Sequence, residues 1–182
     1  PEPDIFHDIA GHVPMHTDQA FAEALVRFGR FAERTAERVS GIQDPQERIR
    51  VLTSVMKGLS RFFWFTVEFG LMRARPDAAI APGQVRVYGS GLLSSYGEIA
   101  HAVDSTQVQR FPAQVEWIVN QAFEIHHYQP LLFVIEDFEH LFYLVHDLEK
   151  RMDAGLLDNL QPGEPEVNEV DLKSFLDAAI AR

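Results

Sequence analysis

The sequence predicts a mainly α fold, a single-domain helical core with one or two short β elements. Three observations carry that expectation. Two long stretches repeat apolar residues at spacings of three and four, the amphipathic helical period. The runs that break this period are short and bounded by Pro or Gly. At 182 residues and 46% hydrophobic content, the chain is long enough for one buried core.

Residues 4 to 12 suit a short helix capped by Asp4 and ended near Val13-Pro14, because the residue before a proline avoids helical backbone angles. Thr17 or Asp18 caps a second helix running to about Val39, with Phe21, Leu25, Phe28 and Ala32 on its apolar face, and Ser40-Gly41 closes it. Asp44-Pro45 reads as an N-cap followed by proline at the first helical position. It opens a helix to about Met72, striped by Val51, Val55, Leu59, Phe62, Thr66 and Phe69. Residues 75 to 91 form loop around one alternating strand, Val85-Arg86-Val87-Tyr88. Further helices are expected near 95 to 103, 112 to 124 and 137 to 153. The run from Pro130 to Ile135 is too short and too apolar for a helix and reads as a buried strand. The core is placed at residues 1 to 156. Residues 157 to 182 read as a linker, marked by Gln161-Pro162-Gly163-Glu164-Pro165, and a short helix from Asp171.

Charge and composition exclude several functions. A net charge of −11 repels nucleic-acid phosphates and anionic membrane surfaces. With no cysteine there is no disulfide, thiolate metal site or cysteine nucleophile. No apolar run reaches the roughly 18 to 20 residues of a membrane span. The segment Pro1-Glu2-Pro3-Asp4 is not a secretory signal, and a cytoplasmic setting is expected.

The chemistry is concentrated in His7-Asp8-Ile9-Ala10-Gly11-His12. Imidazole suits Fe(II), Zn(II), Ni(II) or Cu(II). On an ideal α-helix a spacing of five splays the two rings by roughly 140°, so the pair would have to straddle a helix end. Gly11 and Pro14 would supply that end. His16, four residues after His12, is an alternative partner across the proline. Glu68 lies inside Phe62-Phe63-Trp64-Phe65-Thr66-Val67-Glu68-Phe69-Gly70, where a carboxylate among aromatic rings needs a partner such as a divalent cation or an Arg. Two histidines and one carboxylate with open positions form the ligand set of non-haem Fe(II) oxygenases. Trp64, one α-helical turn before Glu68, would set an aromatic platform beside the metal. Each residue has an ordinary alternative as a surface histidine, an ion-paired glutamate or core packing.

At these positions the sequence resembles the pterin-dependent aromatic amino acid hydroxylases, most closely the bacterial phenylalanine 4-hydroxylases. The likeness rests on Pro1-Glu2-Pro3-Asp4 leading into His7 and His12, on Trp64 to Gly70, and on Tyr88-Gly89-Ser90-Gly91-Leu92-Leu93-Ser94-Ser95. Tyr128-Gln129-Pro130 is a weaker match, and the likeness runs from residue 1 to about 138. It implies ring hydroxylation of an aromatic amino acid, L-Phe first, using O2, a tetrahydropterin such as tetrahydrobiopterin, and Fe(II) on His7, His12 and Glu68. It also implies a substrate pocket of Pro3, Trp64, Phe69, Gly91, Ser94 and Ser95, with His7 beside the ring. Ser94 would bond the His7 imidazole or the substrate carboxylate, Glu98 would be a supporting carboxylate, and Asp8 and Phe63 would face the pterin. The motif starts at residue 1, so most of the family's pterin pocket and its carboxylate anchor are expected upstream of this chain.

His126-His127 replaces the Thr or acidic residue usual in the family and reads as pocket lining, an extra ligand or plain loop. Asp137-Phe138-Glu139-His140 has the carboxylate-x-x-His form of di-iron helices, but it occurs once where such a site needs two. A dinuclear or non-pterin oxygenase, a zinc hydrolase, and a non-catalytic sensor of aromatic ligands are the rival readings.

Overall fold

Asp18 and Asp44 start the two long helices, as their sequence contexts predict. The Asp18 carboxylate accepts from the Phe21 N–H at 2.9 Å, opening α2 (Gln19–Ser40). Asp44 accepts from the Gln46 N–H at 2.9 Å, with Pro45 in the first turn of α3 (Pro45–Phe63). Such caps satisfy backbone donors that the helix itself cannot. The structure, a computed structural model, describes residues 5–160. Pro3 and the tract from Gln161 through the helix expected at Asp171 lie outside those residues.

The remaining elements are α1 (Val13–His16), β1 (Leu71–Arg73), β2 (Val85–Val87), α4 (Ser90–Leu93), α5 (Tyr96–Asp104), β3 (Gln109–Pro112), α6 (Val115–Asn120), β4 (Leu131–Ile135) and α7 (Phe138–Asp153). Helices dominate, and the strands form one small sheet in the order β2-β1-β4-β3. β1 runs antiparallel to β2 and parallel to β4, which in turn runs parallel to β3. All five residues of β4 are buried, and it is the apolar run legible in the sequence, as a central parallel strand should be. β1 and β3 escaped notice. β1 has three residues, and β3, Gln109-Arg110-Phe111-Pro112, reads as polar chain ending in a proline. That composition suits an edge strand.

Phe31, Phe62, Phe65, Ile118, Phe133 and Leu148 are almost wholly buried where the helices meet the sheet. Leu157 is 1% exposed, and the Ser54 hydroxyl donates to its carbonyl at 2.7 Å. The packed core therefore runs past the boundary expected at residue 156, because the turn after α7 folds back on α3. Ion pairs tie α2 to α7, with Arg27 and Arg34 both reaching Glu149.

Three helix ends differ from expectation. The first helix does not stop at Pro14, which sits in the opening turn of α1, where a missing N–H costs nothing. α3 ends at Phe63 and passes through a π-helical turn, Trp64–Glu68, before Leu71 enters the sheet. Gly70 follows that turn at a place where a Cβ would collide with the Thr66 carbonyl and the Tyr88 ring, so only glycine lets the chain change direction there. α6 stops at Asn120, where Gln121 turns to extended backbone and frees residues 121–124 as loop.

The Asp137-x-x-His140 motif is a helix cap. Asp137 accepts from the His140 N–H at 2.8 Å, and His140 Nδ1 accepts from the Glu136 N–H at 3.2 Å. Only a neutral imidazole accepts at Nδ1. Burial holds His140 below the usual histidine range, against the opposing pull of Glu136 and Asp137. With the folded-state value lowered, the unfolded chain takes up the proton first, so this contribution is present above about pH 6.5 and is lost as pH falls below it. His140→Asn keeps an acceptor but cannot titrate. Its melting temperature should fall less than that of the wild type between pH 7 and pH 5, and parallel curves would show that the cap does not sense protons.

Candidate metal centre and aromatic cavity

The histidines converge because their backbone is π-helical. Over His7–His12 the turn is closed by i→i+5 hydrogen bonds, including Val13 N–H to the Asp8 carbonyl. Residues five apart thereby become neighbours instead of lying roughly 140° apart as in an α-helix. His7 Nε2 and His12 Nε2 are 3.0 Å from each other. No helix end is needed to bring them together. His16 stacks loosely on His12 with ring centroids 6.2 Å apart and stays exposed.

Glu68 ends the second π-helical turn. Its Oε1 lies 3.4 Å from His12 Nε2 and its Oε2 lies 3.7 Å from His7 Nε2. Ser90, 1% exposed, holds Oε2 at 2.9 Å from its hydroxyl. His7 Nδ1 is 3.0 Å from Ser94 Oγ, whose own hydrogen is directed at the Gly91 carbonyl, 2.9 Å away. Ser94 therefore accepts from Nδ1–H, and the His7 lone pair at Nε2 faces His12 and Glu68. Two cis ligands at about 2.1 Å from a cation would sit about 3.0 Å apart, so the imidazole pair is already at chelating distance. A third oxygen donor on the same side completes a set with open positions. The exposed Asp8 is a fourth donor, with an oxygen within 4.8 Å of both histidine ligand atoms. Glu68 is the better held of the two carboxylates, being 15% exposed and fixed by Ser90.

Close backbone approach makes this convergence possible. A Cβ on Gly11 would lie 2.7 Å from the Ser90 carbonyl oxygen, and one on Gly91 would lie 3.0 Å from the Glu68 carbonyl oxygen. The histidine turn, α4 and the Glu68 turn thus pack at glycine distance.

Beside the donors opens a cavity of about 590 Å³, lined by His7, Phe63, Trp64, Glu68 and Phe69 on the metal side. Ser60, Gly91, Ser94, Ser95, Glu98, Glu124, Ile125, His127 and Gln129 complete the wall. Trp64 lines the same cavity as Glu68, and it does not stand alone there. The π turn pairs it with Phe69 five residues on, at 4.6 Å between ring centroids, and with Phe123 at 4.4 Å. It links two phenylalanines in a three-ring stack that forms an aromatic part of the cavity wall. His127 lines this cavity, whereas His126 lines a neighbouring hollow. Burial raises the Glu98 carboxyl above the usual range, partly offset by His101.

Ser90, Phe123 and Gln129 carry no role in the sequence reading. Ser90 lies within the Tyr88 to Ser95 block, where a small hydroxyl between two glycines was the available signal. Gln129, 2% exposed, accepts from the Glu124 N–H at 3.1 Å and donates to the Glu124 carbonyl, which shapes the loop that carries Ile125 and His127.

The sequence profile described as biopterin-dependent aromatic amino acid hydroxylase matches residues 1–176. A probable aromatic amino acid hydroxylase of Chlamydia pneumoniae is 33% identical over 159 residues, 87% of this chain and 41% of that protein. A phenylalanine-4-hydroxylase of Ralstonia nicotianae is 34% identical over 141 residues, 78% of this chain and 38% of that protein. An iron- and phenylalanine-bound crystal structure of phenylalanine hydroxylase from Chromobacterium violaceum superposes with a TM-score of 0.62 and 28% identity, covering 88% of this chain and 55% of that one. The Legionella pneumophila phenylalanine hydroxylase structure gives 0.62 and 32%, covering 89% and 56%. The chain thus spans about two fifths of the length of these curated relatives. With a profile match over nearly all of its length and the same fold, the chain belongs to the biopterin-dependent aromatic amino acid hydroxylase family.

Proposed function

We propose that this chain is the iron-binding part of a non-haem Fe(II), tetrahydropterin-dependent monooxygenase that hydroxylates the ring of an aromatic amino acid, converting L-Phe to L-Tyr. One observation carries the reading: two imidazoles and a carboxylate converge, with their partners already in place, at the edge of an aromatic cavity large enough for an amino acid. In this reading His7, His12 and Glu68 hold the iron. Family membership and the iron-bound relative support the choice of metal, and the family's description supports the pterin.

Iron and tetrahydropterin together would supply the activation of O2 and the two electrons that inserting one of its oxygen atoms into the ring requires. The chain's own residues bind, orient and exclude water. Ser94 keeps the His7 lone pair aimed at the metal, and Ser90 does the same for a Glu68 oxygen. Phe69, stacked on Trp64, bounds the space for the substrate ring, with Gly91, Ser94 and Ser95 beside its backbone end and Pro3 assigned by resemblance. By the resemblance, Asp8 and Phe63 would face the pterin and Glu98 would be a supporting carboxylate.

The test is metal analysis of anaerobically purified protein. It is followed by product analysis with Fe(II), tetrahydropterin, O2 and L-Phe, L-Tyr or L-Trp, on the longest natural chain carrying this segment. About one iron per chain and a ring-hydroxylated product are expected, and the product names the preferred amino acid. Iron without product would favour a repurposed member that binds aromatic ligands. Absence of iron would overturn the proposal.

A further inference from the structure

Glu98 is the third residue of α5, three after the cap Ser95, in the Ser-x-x-Glu pattern of a capping box. In a complete box the serine hydroxyl accepts from the glutamate N–H while the glutamate carboxylate returns to the serine N–H. Only half of that exchange is made here. Ser95 Oγ lies 3.4 Å from the Glu98 N, but the Ser95 N–H donates to the Leu92 carbonyl at 3.1 Å. The ordinary structural use of this carboxylate is therefore already taken by another group.

Among the described residues the Glu98 carboxylate accepts no hydrogen bond and has no Lys or Arg partner. It is partly buried in the wall of the 590 Å³ cavity that holds His7, Glu68, Trp64 and Phe69. Glu68 and Glu124 line the same cavity, and no Lys or Arg does so among the described residues. A half-buried carboxylate with no Lys or Arg beside it is costly, and burial pushes this one toward its neutral form, an effect His101 only partly offsets. A ligand bringing a positive charge would relieve that cost.

We infer that Glu98 is the anchor for a ligand ammonium group, so that the cavity selects aromatic compounds carrying a primary amine close to the ring. This deepens the hydroxylase reading and rests on it, assigning the amino end of the substrate to the α5 side of the pocket. The metal donors and the three-ring stack fix the ring end, and Glu98 fixes which end of the side chain points away from the metal. The helix N-terminus beneath it favours the ionised carboxylate that an ammonium needs.

The experiment is calorimetric binding of three probes to the Zn(II)-loaded chain and to its Glu98→Gln variant: L-Phe, 2-phenylethylamine, which lacks the carboxylate, and 3-phenylpropionate, which lacks the amine. The wild type should bind the amino acid and the amine. Glu98→Gln should weaken both about tenfold or more, the scale of one charge-assisted hydrogen bond. It should leave 3-phenylpropionate unchanged or improved. Metal content and the far-UV spectrum of the variant should match the wild type. Equal affinity of wild type and variant for 2-phenylethylamine would overturn the anchor while leaving the aromatic site standing. Failure of the wild type to bind any of the three would overturn the site and the anchor together.

Discussion

Replacing His12 or Glu68 by alanine will remove the bound iron from a chain that remains folded and helical. Loss of a supporting group around a metal typically costs 10- to 100-fold in affinity, so loss of a direct ligand should exceed about a hundredfold. Metal analysis after anaerobic reconstitution reads the loss, and far-UV circular dichroism reads the fold. Neither side chain is part of the buried core: His12 and Glu68 are 25% and 15% exposed at the side chain. Asp8→Ala is the decisive companion, because Asp8 is the rival carboxylate near the same imidazoles. It should keep its iron. Stoichiometric iron in Glu68→Ala together with loss in Asp8→Ala would move the third ligand to Asp8.

The second large effect is expected at a residue with no side chain. In Gly11→Ala the new methyl would meet the Ser90 carbonyl oxygen at 2.7 Å and Ser90 Cβ at 3.0 Å, neither of which is the end of a flexible side chain. Alanine normally gains about 0.5–1 kcal/mol over glycine in a helix. Overpacking costs about 1–3 kcal/mol, and the clash should win. The histidine turn must then lift from α4, which also carries the Ser90 that orients Glu68. A lower melting temperature and a metal affinity reduced about tenfold or more should appear together. Unchanged metal affinity in a destabilised variant would show that the two turns move as one body, and that their contact serves stability alone.

How much of the site could be read beforehand differs residue by residue. His7, His12 and Glu68 stood out as residue types, since two imidazoles and a carboxylate inside an aromatic run are conspicuous in one dimension. Their meeting was not legible. Under α-helical geometry the histidines diverge and Trp64 lies over Glu68. The π turns change the first relation and add to the second, placing His7 beside His12 and stacking Trp64 on Phe69, while Trp64 and Glu68 still line one cavity. A π turn has no sequence signature comparable to a cap or a proline, because tertiary contacts set it. Asp137-x-x-His140 is the opposite case, in which a pattern with metal-binding form has Asp137 Oδ1 and His140 Nδ1 taken by local hydrogen bonds at a helix start.

By itself the sequence determined the mainly helical class, the starts of the long helices at Asp18 and Asp44, the buried strand at Leu131–Ile135 and the types of the donor residues. These are local properties: caps, hydrophobic period and side-chain chemistry act within a few residues. Only the tertiary structure decided which donors meet, that four short strands make one sheet, and that Ser90, Phe123 and Gln129 shape the site. Each of these depends on contacts between segments far apart in the chain, where close packing and glycine-width approach set the geometry. The free carboxylate of Glu98 is of the second kind, since its sequence pattern announced a capping box and a backbone bond from Ser95 to Leu92 withdrew the partner.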